Sequence, residues 1–213
     1  KFEGDAIIAF WGAPLDLPDH ATVACYAAIE MQQRNEEMRQ MLREQNRPLL
    51  FTRMGLNSGP VVVGNMGSAD RMDYTMMGDV VNLAARLEGA NKFYKTFTMV
   101  SGSTYELAKD DIDSRQLDII RVVGKKEPVH VYEVLARKNE TGSEMSGVVE
   151  QYLKGLKLYQ DRNFADAVKE FEKVLDIDPE DGPSLTYVKR CGVFLETPPE
   201  KDWDGVYTFT EKG

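Results

Sequence analysis

Residues 73–89 read DYTMMGDVVNLAARLEG, which is the most informative stretch of the chain. The spacing of apolar side chains predicts a short helix that begins at Asp79, because they recur on one face of a 3.6-residue period. The buried stripe consists of Val80, Leu83, Ala84 and Leu87. Asn82 and Arg86 lie one helical turn apart on another face. Taken alone, such a pair is most often solvated polar surface.

Strands and helices interleave before and after this helix, with hairpins as well as crossovers. Gly4-Asp5 is a typical turn sequence and lies between two short strand patterns, which predicts a hairpin. Asp19 is a candidate N-cap for the next helix. Residues 51–64 then read as a strand pair, and residues 65–73 as a polar loop. Further strands are predicted at 96–100, 117–123 and 129–135, with a helix at 101–110. The pattern indicates an α+β fold with helices on a mixed sheet.

The C-terminal third is helical. A polar, Gly/Ser-rich linker at 138–147 separates a first domain, 1–137, from a helical region at 148–197. The small, small, aromatic and proline positions of one tetratricopeptide repeat are held by Gly155, Ala167, Phe171 and Pro179. One repeat cannot bury its own face, so we expect it to pack on the first domain, a partner chain or a neighbour. An irregular tail with aromatic anchors is predicted at 198–213.

Composition excludes some classes of function. The net charge of −9 and the pI of about 4.9 argue against nucleic-acid binding, which needs a basic face. No apolar run reaches membrane-spanning length, so we expect no membrane contact from this segment. Cys25 and Cys191 lie far apart in the sequence and show no metal-ligand spacing. We therefore expect both thiols to be free, in a reduced, cytoplasmic setting. The chain begins with Lys1 rather than Met, and we interpret it as a fragment of a longer parent. A membrane anchor elsewhere in that parent would be compatible with a cytoplasmic position of this segment.

Several linked motifs resemble the class III adenylate and guanylate cyclases, in that family's order and more like bacterial members than animal ones. They are KFEGDAIIAFWG at 1–12, GLNSG at 55–59, VVGNMG at 62–67, the stretch at 73–86, and VGK at 123–125 followed by Pro128-Val129 and Tyr132-Glu133. The resemblance implies a ferredoxin-like palm fold that works as a head-to-tail homodimer with active sites between the subunits. The implied reaction converts ATP to cyclic AMP and pyrophosphate with two Mg²⁺ or Mn²⁺ ions.

The resemblance also implies a role for individual residues. Asp5 matches the second metal-binding aspartate, and Lys1 matches the lysine that reads adenine. Thr75 lies where adenylate-type members contact the same base. Asn82 matches the residue that orients the ribose, and Arg86 the transition-state arginine. Asp5 of one subunit is then expected to work with the other four residues of its partner.

Two departures from the family pattern matter. The first metal-binding aspartate belongs on a strand upstream of Lys1 that this chain lacks, so we expect the chain by itself to be inactive. The phosphate-binding lysine position falls at Val123, which leaves Lys125 or Lys126 as a substitute. Two alternatives stay open. One is a guanylate cyclase, although Lys1 argues against this alternative. The other is a degenerate cyclase-like regulatory or scaffold module that docks partners through its tetratricopeptide-like segment.

Overall fold

A computed structural model describes residues 1–68, 70–121 and 127–209. The described chain is a mixed α+β structure, as predicted. Its strands are β1 Phe2–Glu3, β2 Ala6–Ile7, β3 Met54–Leu56, β4 Val62–Ser68, β5 Arg71–Met77, β6 Thr98–Ser101, β7 Ile112–Arg121, β8 Val129–Arg137 and β9 Tyr207–Thr208. Its helices are α1 His20–Glu44, α2 Asp79–Tyr94, α3 Gly102–Ala108, α4 Ser143–Gln160, α5 Phe164–Ile177 and α6 Gly182–Glu196.

A five-stranded sheet in the order β3-β6-β8-β7-β9 forms the centre of the molecule. The β3–β6 and β7–β9 pairs are parallel, whereas β8 is antiparallel to both of its neighbours. Met99 belongs to the core beneath α2, and the next residue, Val100, to the core beneath α1 and α3. Because successive side chains of a strand point to opposite faces, α2 and α1 cover opposite faces of the sheet.

Two separate hairpins stand beside this sheet. The predicted hairpin at Gly4-Asp5 is confirmed: β1 pairs with β2, and Gly4 has a φ of +64°, which suits glycine. The strand pair predicted within 51–64 is wrong, because β3 pairs instead with β6. The polar loop predicted at 65–73 is also wrong.

The physical reason for both corrections lies in β4 and β5. These strands pair with each other along their full length, from Val62 opposite Met77 to Ser68 opposite Arg71. That ladder satisfies backbone groups that a loop would leave to water. A smaller correction concerns Asp19, which lies at the N-cap position of α1 but makes no side-chain capping hydrogen bond.

The C-terminal helices pack against the central sheet of the same chain, in agreement with one of the three sequence alternatives. Tyr152 of α4 and Tyr187 of α6 are fully buried, and both donate hydrogen bonds to the Leu117 carbonyl of β7, at 2.8 and 3.0 Å. Within the helical unit, a Cβ added at Gly155 would lie 2.8 Å from the Phe171 ring, so α4 and α5 approach closely. No helix within the described ranges has both the length and the apolar character that crossing a bilayer requires.

Two boundaries differ from the sequence prediction. Helix α4 begins at Ser143, inside the segment expected to be a linker. The tail from residue 198 is not wholly irregular, because β9 pairs with the edge of β7 and Phe209 is buried in the core beneath α2. An exposed strand edge offers unpaired backbone groups, and the segment of β9 satisfies one of them, because the Phe209 amide donates to the Arg121 carbonyl at 3.0 Å.

Candidate active site

Helix α2 is held against β3 by a close backbone approach. A Cβ added at Gly55 would lie 2.2 Å from both the Ala84 carbonyl oxygen and the Glu88 amide nitrogen. Only a residue without a side chain permits that spacing. Gly55 therefore fixes the middle of α2 on the sheet.

The first turn of α2 is tied to the ends of two strands by one side chain. The Asn57 amide donates to the Val80 carbonyl at 2.9 Å, and its oxygen accepts from the Ser101 hydroxyl at 2.7 Å. Gly78, before the helix, has a φ of +154°, a conformation that other residues rarely adopt. Asn57 and Gly78 thus set the direction in which α2 leaves β5. The sequence marked Asn57 only as a turn residue.

Asn82 and Arg86 of α2 occupy the face that the sequence predicted. Asn82 is exposed, and Arg86 is half-buried. The Nη1 atom of Arg86 is buried and has no hydrogen-bond partner among the described residues. A buried donor without an acceptor is unfavourable by about 1–3 kcal/mol. Such a guanidinium is prepared to bind an anionic oxygen, and phosphate is a suitable partner because Arg can donate two hydrogen bonds to it.

A second group of polar residues lies on β5 and the N-terminal segment. The Lys1 ammonium is 2.7 Å from a carboxylate oxygen of Asp73. Asp73 and Thr75 are two residues apart on β5, so their side chains share one face of the strand. The rings of Phe10 and Tyr74 lie 6.1 Å apart and join the same two segments. Lys1 and Thr75 are therefore brought to one region.

The Lys1–Asp73 pair keeps a charged donor in place. The hydrogen bond to Asp73 is the main cause of a raised Lys1 pKa. Asp73 is a residue of this region that sequence reasoning did not single out as a site residue. The signal that would have found it is strand alternation, which was missed because residue 73 was interpreted as part of a loop.

The remaining predicted site residues are not joined to these groups. Asp5 is exposed in the β1–β2 turn. Within residues 1–68, 70–121 and 127–209, no hydrogen bond or ion pair connects it with Asn82 or Arg86. Lys125 lies outside the described residues, as do Val123 and Lys126.

The metal ions that the resemblance implies need carboxylate ligands. A carboxylate on a turn is a suitable ligand for Mg²⁺, so Asp5 fits as one ligand. No group of three or more His, Cys, Asp or Glu side chains that could hold a metal ion occurs in the described part of the chain.

Comparison with known families identifies the class of protein. The family model for the adenylate and guanylate cyclase catalytic domain matches residues 1–136. The chain belongs to this family.

Two of the relatives with similar sequences are adenylate cyclases. Adenylate cyclase 1 of Rhizobium meliloti is 38% identical over 135 residues, which are 63% of this chain and 20% of that protein. The terminal-differentiation-specific adenylate cyclase of Dictyostelium discoideum is 32% identical over 195 residues, 90% of this chain and 9% of that protein. The chain thus spans a fifth or less of the length of these two relatives.

Solved structures of both adenylyl and guanylyl cyclases are similar to this chain. The adenylyl cyclase CyaB from P. aeruginosa matches with a TM-score of 0.59 and 36% identity, over 67% of this chain and 73% of that one. The guanylyl cyclase Cya2 matches with a TM-score of 0.57 and 32% identity, over 67% and 71% of the two chains. Because both kinds of cyclase are similar to this chain, the family alone does not decide the nucleotide.

Proposed function

We propose that this chain is the catalytic region of an adenylate cyclase that converts ATP to cyclic AMP and pyrophosphate. The observation that carries the choice of nucleotide is the position of Thr75, which shares one face of β5 with Asp73, the partner of Lys1. Adenine offers a ring-nitrogen acceptor beside an amino donor. A protonated lysine supplies the donor for the first, and the threonine hydroxyl an acceptor for the second.

The residues of α2 supply the transfer chemistry. The ribose 3′-hydroxyl attacks the α-phosphate, and pyrophosphate leaves. Asn82 orients the ribose through its amide. The permanently charged guanidinium of Arg86 stabilises the charge that develops on the phosphate oxygens, for which its unpartnered Nη1 is available. Lys125 is proposed to bind the departing phosphates.

Metal ions belong to the proposal as partners of the chain. Two Mg²⁺ or Mn²⁺ ions would activate the hydroxyl and neutralise the phosphates. Asp5 is proposed as one of their ligands.

We further propose a head-to-tail homodimer, in which Asp5 of one subunit faces Arg86 of the other. Large apolar side chains on the two hairpins, among them Phe2, Val62 and Met72, are exposed, which is typical of an interaction surface. Mixing inactive Asp5→Asn and Arg86→Ala variants of the full-length protein should restore about a quarter of the original activity, because half of the dimers are then mixed and each has one intact site. No recovery on mixing, with subunit exchange verified, would exclude a shared site.

The C-terminal helices are proposed to be one tetratricopeptide-like unit, α4 and α5, capped by α6. The contact of Gly155 with Phe171 supports this, because the repeat needs a small residue where its two helices cross. The division into a cyclase domain at 1–137 and a helical region at 148–197 is part of the same proposal.

A second candidate is a guanylate cyclase. The specific observation in its favour is the Asp73 carboxylate, because guanine offers amino and imino donors that a carboxylate can accept. Lys1 could then donate to the guanine oxygen. The two candidates differ in what Thr75 does, since only the adenine proposal gives its hydroxyl a partner.

Steady-state kinetics of full-length Lys1→Met and Thr75→Val variants test the base assignment. Each should lower kcat/KM for ATP by about tenfold, since one good hydrogen bond is worth about 1.5 kcal/mol in a desolvated site. Lys154→Met, on the exposed surface of α4, is the matched control and should change nothing. If both site variants keep the kcat/KM of the unaltered protein for ATP, the proposed base pocket is wrong. Failure to cyclise either nucleotide would favour the scaffold alternative.

A further inference from the structure

A buried polar cluster joins the C-terminal helices to the end of α2. Arg190 of α6 donates to the Asp118 carboxylate of β7 at 2.5 Å and to the Tyr94 hydroxyl at 3.1 Å. Tyr94 is the last residue of α2, and its hydroxyl donates to the same Asp118 oxygen at 2.5 Å. The three side chains form a closed triangle that spans three elements.

This triangle is shielded from water. The side chains of Arg190 and Asp118 are 10% and 2% exposed, and Tyr94 is fully buried. The guanidinium carbon of Arg190 also lies 3.6 Å from the centre of the Tyr207 ring. Removing one partner of a buried charge pair strongly destabilises a protein, because the other charge is left buried without compensation. The contact between α6, β7 and α2 therefore depends on all three side chains.

Two backbone contacts seat α6 on the same end of α2. A Cβ added at Gly182 would lie 2.2 Å from the Tyr94 carbonyl oxygen. The Thr186 hydroxyl donates to the Phe93 carbonyl at 2.8 Å. The last carbonyls of a helix lack partners within it, and α6 supplies one here. The C-terminal end of α2 is therefore held by α6 as well as by the sheet.

Helix α2 connects the contact with α6 to the residues of the candidate site. Gly55 fixes its middle, at Ala84 and Glu88, while Tyr94 lies about 12 Å further along the helix axis from Arg86. A change in the seat of Tyr94 would therefore alter the tilt of α2. Asn82 and Arg86 lie on the same continuous helix, so the tilt would change the orientation of both side chains.

We propose that Arg190 is a positioning residue for Asn82 and Arg86, acting through Tyr94, so that the C-terminal helical unit sets the turnover of the cyclase site. The inference rests on the proposed function for its kinetic consequence. It predicts an effect on kcat rather than KM, because α6 contacts the end of α2 and not the base-reading strand β5. It also predicts that loosening α6 loosens α2.

The test compares full-length Arg190→Met and Tyr94→Phe variants with the unaltered protein. Each should lower kcat by about tenfold and leave KM within about twofold, because small misplacements of catalytic groups are costly to turnover. Hydrogen exchange of the amides in residues 79–94 should become faster in both. Arg162→Met is the matched control: Arg162 lies in the same helical unit, but it donates to the Lys201 and Pro199 carbonyls and makes no hydrogen bond or ion pair with α2 among the described residues. It should leave both measurements unchanged.

The outcomes separate this inference from the proposed function. Unchanged kcat and unchanged exchange in a folded Arg190→Met protein would overturn the positioning role. If that variant fails to fold, Tyr94→Phe, which removes a single hydroxyl, decides by the same two measurements. If the unaltered protein cyclises neither ATP nor GTP, the proposed function is wrong, and the exchange of residues 79–94 alone decides whether α6 positions α2.

Discussion

Replacing Gly55 by Ala should displace the helix that carries Asn82 and Arg86. The new Cβ would lie 2.2 Å from two backbone atoms of α2, the Ala84 oxygen and the Glu88 nitrogen. Carbon contacts are favourable only near 3.5 Å, so α2 must move away from β3 by about 1 Å. Neither obstacle is a flexible side chain that can turn aside.

The displacement has two measurable consequences. Overpacking of this kind destabilises by about 1–3 kcal/mol, which urea unfolding of the full-length protein will measure. A shift of about 1 Å in catalytic groups lowers kcat by about 100-fold, which steady-state cyclase kinetics will measure. The loss of activity should therefore be larger than the loss of stability alone would explain.

Gly147→Ala is the matched control, because a Cβ added there meets nothing within 4 Å. Gly147 lies in α4, so alanine should keep or raise the stability, by up to about 1 kcal/mol. Its kcat should not change. A Gly55→Ala protein with normal stability and normal kcat would refute the argument that Gly55 sets the position of the active-site helix.

Other perturbations have distinct expected results. Arg86→Ala should lower kcat by at least about 100-fold, because transition-state stabilisation is lost, while the free energy of unfolding changes by less than about 1 kcal/mol; retained turnover would remove Arg86 from the mechanism. Arg115→Ala should destabilise by about 3–5 kcal/mol in urea unfolding, because it strands the buried Asp181 carboxylate 2.7 Å away; a loss below 1 kcal/mol would contradict this. Burial raises the pKa of Cys25 and Cys191 to about 12, so both thiols should resist alkylation at pH 8 until urea is added. Since the unfolded thiols ionise near pH 9, the stability that their burial contributes is present below that pH and is lost between pH 9 and 12; a flat stability profile there would contradict the prediction.

Local patterns allowed part of this fold to be predicted. The β1–β2 hairpin follows from Gly4-Asp5, and α2 follows from its apolar stripe, because both signals lie within a few residues. The β4–β5 hairpin was missed, since Gly64, Asn65 and Ser68 are typical of loops and only their pairing partners make them a strand. Turn chemistry alone does not reveal such partners.

Long-range pairings explain most of what the sequence could not show. Lys1 and Asp73 are 72 positions apart, and Tyr94 and Arg190 are 96 apart. No periodicity connects residues at such distances. The seat of α6 on α2 and the addition of β9 to β7 are therefore visible only in three dimensions.

The site was predicted unevenly. Asn82 and Arg86 share a helix face, as their spacing required, and Lys1 does lie beside the strand of Thr75. Their chemical roles came from the family resemblance and stay predictions, as do the pairing of Asp5 with the partner subunit and the role of Lys125.

The most direct test of ATP cyclisation is a competition assay with the unaltered full-length protein. Equimolar ATP and GTP would be supplied together with Mn²⁺, and the cyclic products separated by chromatography. The arrangement of Lys1 and Thr75 predicts that cyclic AMP exceeds cyclic GMP by at least about tenfold, the value of one well-placed hydrogen bond. An excess of cyclic GMP would contradict the assignment of adenine to this pocket.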